Sequence, residues 1–142
     1  MTTKELLDLY TDLYTFFITI RFQAERKDIP VVLDAILKRY DTGKSLEIRN
    51  ALVTEETIDQ NFWKFDNLDK RYYSVKIKPK QQERCIYWFA LLLKKIRQLW
   101  EKGDYKTIFR LTDDAHNIPV NLIKGKKLAV LHLRYVVWKY RL

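Results

Sequence analysis

Apolar residues recur at alternating three- and four-residue spacing along much of the chain. The clearest run follows Pro79 and consists of Ile86, Phe89, Leu93, Ile96 and Trp100, widened on the same face by Cys85, Leu92 and Leu99. Such spacing is typical of one face of an α-helix and not of a strand. Pro79 suits a first helical turn, and Gly103 after Lys102 suits a C-terminal stop. We therefore predict a long helix that begins at Pro79 and ends just before Gly103.

A second helix is predicted directly after this one. Asp104 is a favourable N-cap residue, and the inward positions that follow are Ile108, Phe109, Leu111 or Thr112, and Ala115. Asn117 and Pro119 are expected to end the helix, since Asn tolerates a left-handed conformation and Pro cannot continue the hydrogen-bond ladder. With so short a connection, the stretch from Pro79 to Asn117 should form an antiparallel helical hairpin.

The N-terminal third predicts two more helices. Thr2 and Glu5 have capping-box spacing, and the first helix should run from about Thr3 to about Arg26 with Leu6, Tyr10, Leu13, Phe17, Ile20 and Ala24 as its stripe. Its neighbouring faces are also apolar, which favours a helix sandwiched between two others, the alternative being a helix paired with another chain. A shorter helix should begin near Asp28 and Pro30 and stop at Gly43.

The remaining segments give weaker patterns. Short helices fit Ser45 to Val53 and the stretch after Thr54 that carries Ile58, Phe62 and Trp63, whereas Lys64 to Lys78 suggests an irregular, extended connector. In the C-terminal segment, heptad spacing favours a helix while three valines favour a strand; the heptad residues are Leu128, Leu131, Tyr135, Trp138 and Leu142. We predict an all-α bundle of five to six helices, built on the Pro79 to Asn117 hairpin, in a single domain spanning residues 1–142.

Composition agrees with the all-α class and indicates the kind of cellular compartment. The 142 residues are 47% hydrophobic with only three Gly and three Pro, which disfavours disorder and loop-rich β architectures. The single cysteine, Cys85, excludes an intrachain disulfide and suits a reducing compartment. Charged residues interrupt the N-terminus, and the uncharged apolar runs are shorter than the roughly 20 residues that span a bilayer. We expect a cytoplasmic protein without membrane insertion.

Charge is distributed unevenly. Residues 1–71 carry 11 basic and 13 acidic side chains, whereas residues 72–142 carry 16 basic and 5 acidic ones. A candidate basic surface combines the face of the long helix opposite its core stripe with one side of the last helix: Arg84, Trp88, Lys95, Lys102, Lys127, Arg134 and Arg141. Such a surface can follow a phosphate backbone, with aromatic rings available for stacking. Lysines also keep ordinary helix faces soluble, and the common nucleic-acid-binding motifs are absent.

One polar cluster has residues suited to catalysis or metal binding: Asp113, Asp114 and His116, followed by Asn117. Two carboxylates beside a histidine can hold a divalent ion or transfer protons. Helical spacing places Asp113 and His116 on one face but not Asp114, and a matching second ligand helix is missing. A histidine near a helix C-terminus followed by a capping Asn explains the same residues. We therefore expect no enzyme activity, no metal and no cofactor.

The segment from Gly103 to Pro119 resembles a "GDY…LADALHNLP" segment of small uncharacterised helical proteins of bacteria. The resemblance covers about 17 of the 142 residues and includes Gly103-Asp104-Tyr105 and His116-Asn117-Ile118-Pro119. It departs from the pattern where Thr112 and Asp113 occupy the Ala-Asp part and Asp114 replaces Ala. The resemblance implies a bacterial helical protein and no particular activity. Proteins of this kind include immunity proteins and accessory factors that act by binding another protein, which is an analogy.

Apolar surface in excess of what a core needs suggests how such a protein acts. Tyr14, Phe16, Tyr135 and Trp138 are the residues that we expect to be available to a protein partner or to a second copy in a homodimer. The sequence thus favours a non-enzymatic protein that acts by protein–protein interaction. The alternative is a nucleic-acid-binding protein that uses the basic C-terminal half.

Overall fold

A computed structural model of the chain describes residues 3–42 and 79–142. Over these ranges the protein is an all-α bundle without strands, and its helices are α1 (Thr3–Ile20), α2 (Ile29–Thr42), α3 (Pro79–Glu101), α4 (Tyr105–Ala115), α5 (Ile118–Ile123) and α6 (Leu128–Lys139). The short helices and the connector predicted between Ser45 and Lys78 lie outside the described residues. Within the described ranges, none of the helices combines the length and the apolar character needed to cross a bilayer.

All six helices contribute to one buried cluster. Helix α1 lies at its centre, in contact with α2, α4 and α5, which confirms the predicted sandwiched helix. The ring of Phe89 on α3 lies 5.8 Å from that of Tyr10 and 6.2 Å from that of Phe17, both on α1. Phe16 is fully buried, so the prediction that it is available to a partner is wrong. The extra apolar residues of α1 are used within the bundle because α1 has neighbours on several sides.

Helix α1 is shorter than predicted and ends at Ile20 instead of Arg26. The next residues form turns in which the Gln23 amide donates to the Ile20 carbonyl at 3.2 Å. The Arg26 guanidinium then pairs with Asp28 at 2.5 Å, and the Trp100 indole donates to the Arg26 carbonyl at 3.1 Å. Local side-chain pairing and a contact with α3 thus support a non-helical connection over residues 21–28. Its helix-like periodicity arises because it also buries an apolar residue, Ala24, at the spacing of the α1 stripe.

The hairpin of α3 and α4 forms as predicted. Gly103 has a φ of +70°, and the Asp104 amide donates to the Leu99 carbonyl at 2.9 Å, which completes a Schellman stop. Asp104 caps α4 by accepting hydrogen bonds from the Thr107 amide at 3.2 Å and the Thr107 hydroxyl at 2.7 Å. Phe109 was expected to point inward but is 38% exposed, since the buried face of α4 consists of Ile108, Leu111, Thr112 and Ala115.

The segment after α4 corrects a second boundary. Helix α4 ends at Ala115 with His116 as its C-cap, and Asn117 is the N-cap of the additional short helix α5. Pro119 lies in the first turn of α5, where its missing N–H costs nothing. Asn117 and Pro119 therefore lie at the start of a further helix, which the sequence did not predict, and this helix α5 packs against α1.

Candidate interaction surface

Helix α6 presents large apolar side chains to solvent. Four of them form what we call the α6 stripe: Leu128 (76% exposed), Leu131 (58%), Tyr135 (51%) and Trp138 (73%). At 100° per residue these positions fall within an arc of about 80°. The rings of Tyr135 and Trp138 lie 5.9 Å apart, so the two aromatic residues form one continuous surface. The availability of these two side chains, predicted from the sequence, is confirmed.

The orientation of α6 follows from its other face. Ala129, Leu133 and Val136 are buried against the bundle, where α6 contacts α3, α4 and α5. Both faces of this helix are apolar, so periodicity alone does not identify the inner one. Sequence reasoning therefore did not single out Leu128 and Leu131 as surface residues. The one sequence feature that could have indicated their exposure is Ala129 on the opposite face, because a small residue allows that face to pack closely against the bundle.

The stripe lies in a strongly basic part of the chain. Asp114 is the last acidic residue of the sequence, and residues 115–142 contain six Lys or Arg side chains and no carboxylate side chain. Lys127 and Arg134 flank the stripe on one side, and His132 and Lys139 flank it on the other, as their helical positions require. An apolar surface bordered by lysine and arginine side chains favours a ligand that is both apolar and anionic.

A cavity of about 770 Å³ lies between α3 and the C-terminal end of α6. Its lining includes two residues of the predicted basic surface from α6 and its terminus, Arg134 and Arg141, together with Trp88 of α3, Trp138 and Lys139. Trp88 is half-buried and packs against the core, so it does not lie opposite the core stripe as expected. The structure thus brings together three residues of the predicted surface. The other four do not line this cavity: Arg84, Lys95, Lys102 and Lys127.

The polar cluster of Asp113, Asp114 and His116 does not converge on a common point. Asp113 forms an ion pair of 2.5 Å with Arg21, beyond the end of α1. Asp114 instead accepts hydrogen bonds from Lys139 at 2.8 Å and from the Tyr140 hydroxyl at 2.7 Å. The two neighbouring carboxylates therefore fasten α4 to different parts of the bundle.

The environment of Asp114 perturbs the titration of two groups. Partial burial opposes its ionisation, but the hydrogen bonds from Lys139 and Tyr140 outweigh burial, and the pKa of Asp114 lies below its ordinary value. Burial and the hydrogen bond to Asp114 together raise the pKa of Tyr140. His116 directs its Nδ1 at the Asp113 carbonyl, 2.7 Å away, within its own helix end. These contacts account for the polar cluster as a structural feature.

A second exposed aromatic group lies at the other side of α4. Phe22 is 70% exposed and its ring lies 5.7 Å from that of Phe109. The guanidinium carbon of Arg21 lies 4.9 Å from the Phe22 centroid, and together with Tyr105 these side chains line a cavity of about 490 Å³. Sequence reasoning missed this group because it assigned Phe22 to α1 and Phe109 to the core.

Cys85 is buried in the apolar stripe of α3, as predicted. Burial raises the pKa of its thiol to about 11, with Arg84 acting weakly in the opposite direction. At neutral pH the side chain is therefore a protonated thiol that packs as a small apolar group. Among the residues that the structure describes, no three His, Cys, Asp or Glu side chains lie close enough together to hold a metal ion.

Comparisons with protein-family models, with curated proteins and with solved structures find no match to this chain.

Proposed function

We propose that this chain is a non-enzymatic interaction protein that binds an acidic segment of another protein through the α6 stripe. The exposed stripe of Leu128, Leu131, Tyr135 and Trp138 is the observation that carries the proposal. The accessory or immunity type of such a protein comes from the resemblance of residues 103–119 to bacterial helical proteins and is an analogy.

The composition of the stripe suits a protein surface. Aromatic residues are enriched at protein interfaces, and residues at i, i+3, i+7 and i+10 of a helix are the usual anchors of helix-in-groove recognition. Leu128 and Leu131 would gain little from a nucleic acid, whose surface consists mostly of phosphates, sugars and polar base edges. This difference favours a protein partner over the phosphate backbone that the basic residues alone suggest.

Charge argues for an acidic partner and against self-association through this surface. A symmetric dimer across the stripe would bring the basic side chains that flank it, Lys127, Arg134 and Lys139, close to those of the second copy. Like charges that face each other across an interface cost free energy, whereas carboxylates at those positions would be attracted. The same attraction speeds association at low ionic strength.

Site-specific photo-crosslinking tests the proposal directly. Benzoyl-phenylalanine is placed at Leu131 and, as a control, at Val31 of α2, which is 66% exposed and also apolar. We expect a discrete protein adduct from position 131 in extracts of the native cells and none from position 31. The partner identified in the adduct is then purified and titrated against Leu131→Glu and Val31→Glu.

The outcomes separate the alternatives. The proposal predicts that Leu131→Glu weakens the affinity by at least about tenfold while Val31→Glu leaves it unchanged, because the first variant buries a charge against the partner. Equal effects of the two variants, or no adduct above the control, would overturn it. An adduct with this chain itself would assign the stripe to self-association instead.

A further inference from the structure

The cavity beside the α6 stripe has unpaired cationic side chains. Of its three basic lining residues, Lys139 is engaged by Asp114 at 2.8 Å. Arg134 and Arg141 form no ion pair with any residue in the described ranges 3–42 and 79–142. No Asp or Glu side chain lines the cavity. Two arginines and two tryptophans thus line a concave site of about 770 Å³.

Arg141 occupies a backbone position that favours glycine. Among the helices of residues 3–42 and 79–142, three end in Schellman motifs, and in two of these the left-handed residue is a glycine: Gly103 (φ +70°) after α3 and Gly125 (φ +72°) after α5. After α6 the same position is Arg141, with φ +52°. The Arg141 amide donates to the Trp138 carbonyl at 3.2 Å, and the Leu142 amide donates to the Val137 carbonyl at 3.0 Å.

A side chain at such a position opposes the left-handed conformation, which Gly adopts without steric cost. Glycine occupies this position after α3 and after α5, whereas Arg141 occupies it after α6, where it borders the cavity. Backbone strain at a residue that lines a cavity motivates a functional hypothesis. Arg141 lines the cavity together with Arg134 and Trp138.

We infer that this cavity binds an acidic side chain of the partner protein, with Arg134 and Arg141 as its carboxylate-binding residues. The inference rests on the proposed function and names the anchor residue of the partner as Asp or Glu. Arginine suits this role because its planar fork pairs with both carboxylate oxygens. Trp138 belongs both to the stripe and to the cavity, so an apolar partner segment on the stripe leads directly into the site.

The shape of the site favours this occupant over other anions. A lipid surface would meet the outward stripe but would not fill a recess between α3 and α6. A nucleic acid would use the guanidinium groups and indoles but would leave Leu128 and Leu131 exposed. A protein segment that carries a carboxylate beside an apolar residue uses all of these features at once.

The probes are two synthetic amphipathic helical peptides of about 20 residues, long enough to form a helix on binding. Both carry leucines at the spacing of the stripe; one has glutamates at the flanking positions, and its twin has glutamines there. Binding is measured by fluorescence anisotropy to the full chain. The cavity variant is Arg134→Gln with Arg141→Gln, and the matched control is Lys94→Gln with Lys102→Gln, which removes the same charge outside both the stripe and the cavity.

We expect the glutamate peptide to bind more tightly than its twin. The cavity variant should weaken this binding by about tenfold or more, and the lysine control by no more than about threefold, because only the former removes direct carboxylate partners. Arg141→Gly should weaken peptide binding while raising the thermal midpoint. A purely structural role for Arg141 would not produce that opposite pair of changes.

Failure of the inference and of the proposed function can be distinguished. If both double variants weaken binding equally, or if the two peptides bind equally well, the anchor site is overturned while the stripe remains. If neither peptide binds, or if Leu131→Glu leaves binding unchanged, the proposed function fails and the inference falls with it. Binding of an oligothymidylate or of anionic vesicles that is lost in the cavity variant, with peptide binding unaffected, would assign the cavity to that ligand instead.

Discussion

The Tyr140 hydroxyl donates a hydrogen bond of 2.7 Å to Oδ2 of Asp114, an oxygen that also accepts from Lys139. This contact fastens the end of α6 to α4 across 26 residues of sequence. Together with the Lys139–Asp114 ion pair, it adds polar contacts to the packing of Ala129, Leu133 and Val136 that holds this helix on the bundle. The polar cluster that suggested catalysis thus positions the surface that we propose for binding.

Removal of the Tyr140 hydroxyl should loosen this attachment. We expect Tyr140→Phe to lower the free energy of unfolding by about 1 kcal/mol, the usual net value of one hydrogen bond. The ring remains and Asp114 keeps its contact with Lys139, so the packing should be unchanged. Urea denaturation followed by circular dichroism measures the difference. A variant as stable as the parent chain would show that the hydrogen bond contributes nothing.

Stability should depend on pH through Asp114. Its pKa is lower in the folded protein than its ordinary value of 3.8, so the folded state favours the ionised carboxylate. The resulting stabilisation is present above about pH 4 and is lost as the pH falls through the folded pKa. We expect Asp114→Asn to reduce the loss of stability between about pH 4 and pH 2. Urea denaturation at several pH values over this range measures the free energy of unfolding of both proteins. If the two proteins lost stability in parallel as the pH falls, Asp114 would not be responsible.

The left-handed helix ends at Gly103 and Arg141 should respond in opposite directions. In Gly103→Ala the added Cβ lies in open space, so the only cost is that Ala disfavours the left-handed backbone conformation. We expect the free energy of unfolding to fall by about 1 kcal/mol. Arg141→Gly should gain stability, by up to about 1 kcal/mol, because it removes the same penalty. Thermal unfolding of the two variants tests this contrast. A destabilised Arg141→Gly protein would mean that the arginine side chain itself supports the fold.

The orientation of α6 predicts that substitution of two leucines only two residues apart lowers the stability of the fold by different amounts. Leu131 is 58% exposed whereas Leu133 is fully buried. We expect Leu131→Ser to change stability by no more than about 0.5 kcal/mol and Leu133→Ser to cost at least about 2 kcal/mol. Chemical denaturation distinguishes them. A large loss in Leu131→Ser would place the stripe inside the fold and remove it as a binding surface.

The thiol of Cys85 should be protected in the folded protein. It is buried, and its pKa of about 11 leaves little thiolate at neutral pH. Because this is the chain's only cysteine, a thiol reagent reports on it without interference. We expect labelling to be slow in buffer and rapid in denaturant. Fast labelling of the native protein would indicate that the N-terminal half of α3 opens readily.

Helix-forming periodicity and end signals were sufficient to predict much of the fold. The stripe from Cys85 to Leu99, the stop at Gly103 and the cap at Asp104 are local properties, each determined by a few neighbouring residues. The boundaries at Ile20 and Ala115 were mispredicted because the next segments also bury apolar residues. Ala24 and Ile118 are buried whether or not they continue the preceding helix, so the pattern of apolar positions does not show where the helix stops.

The sequence alone determined the all-α class, the α3–α4 hairpin and the basic character of the C-terminal half, since these follow from spacing, capping and composition. Only the tertiary structure decided which face of α6 is outward, because both of its faces are apolar and the inner one is selected by the fit against α3, α4 and α5. The tertiary structure also separated Asp113 from Asp114 and brought Trp88 to Arg134 and Arg141. Such contacts join residues far apart in the chain, and their distances depend on how the helices pack.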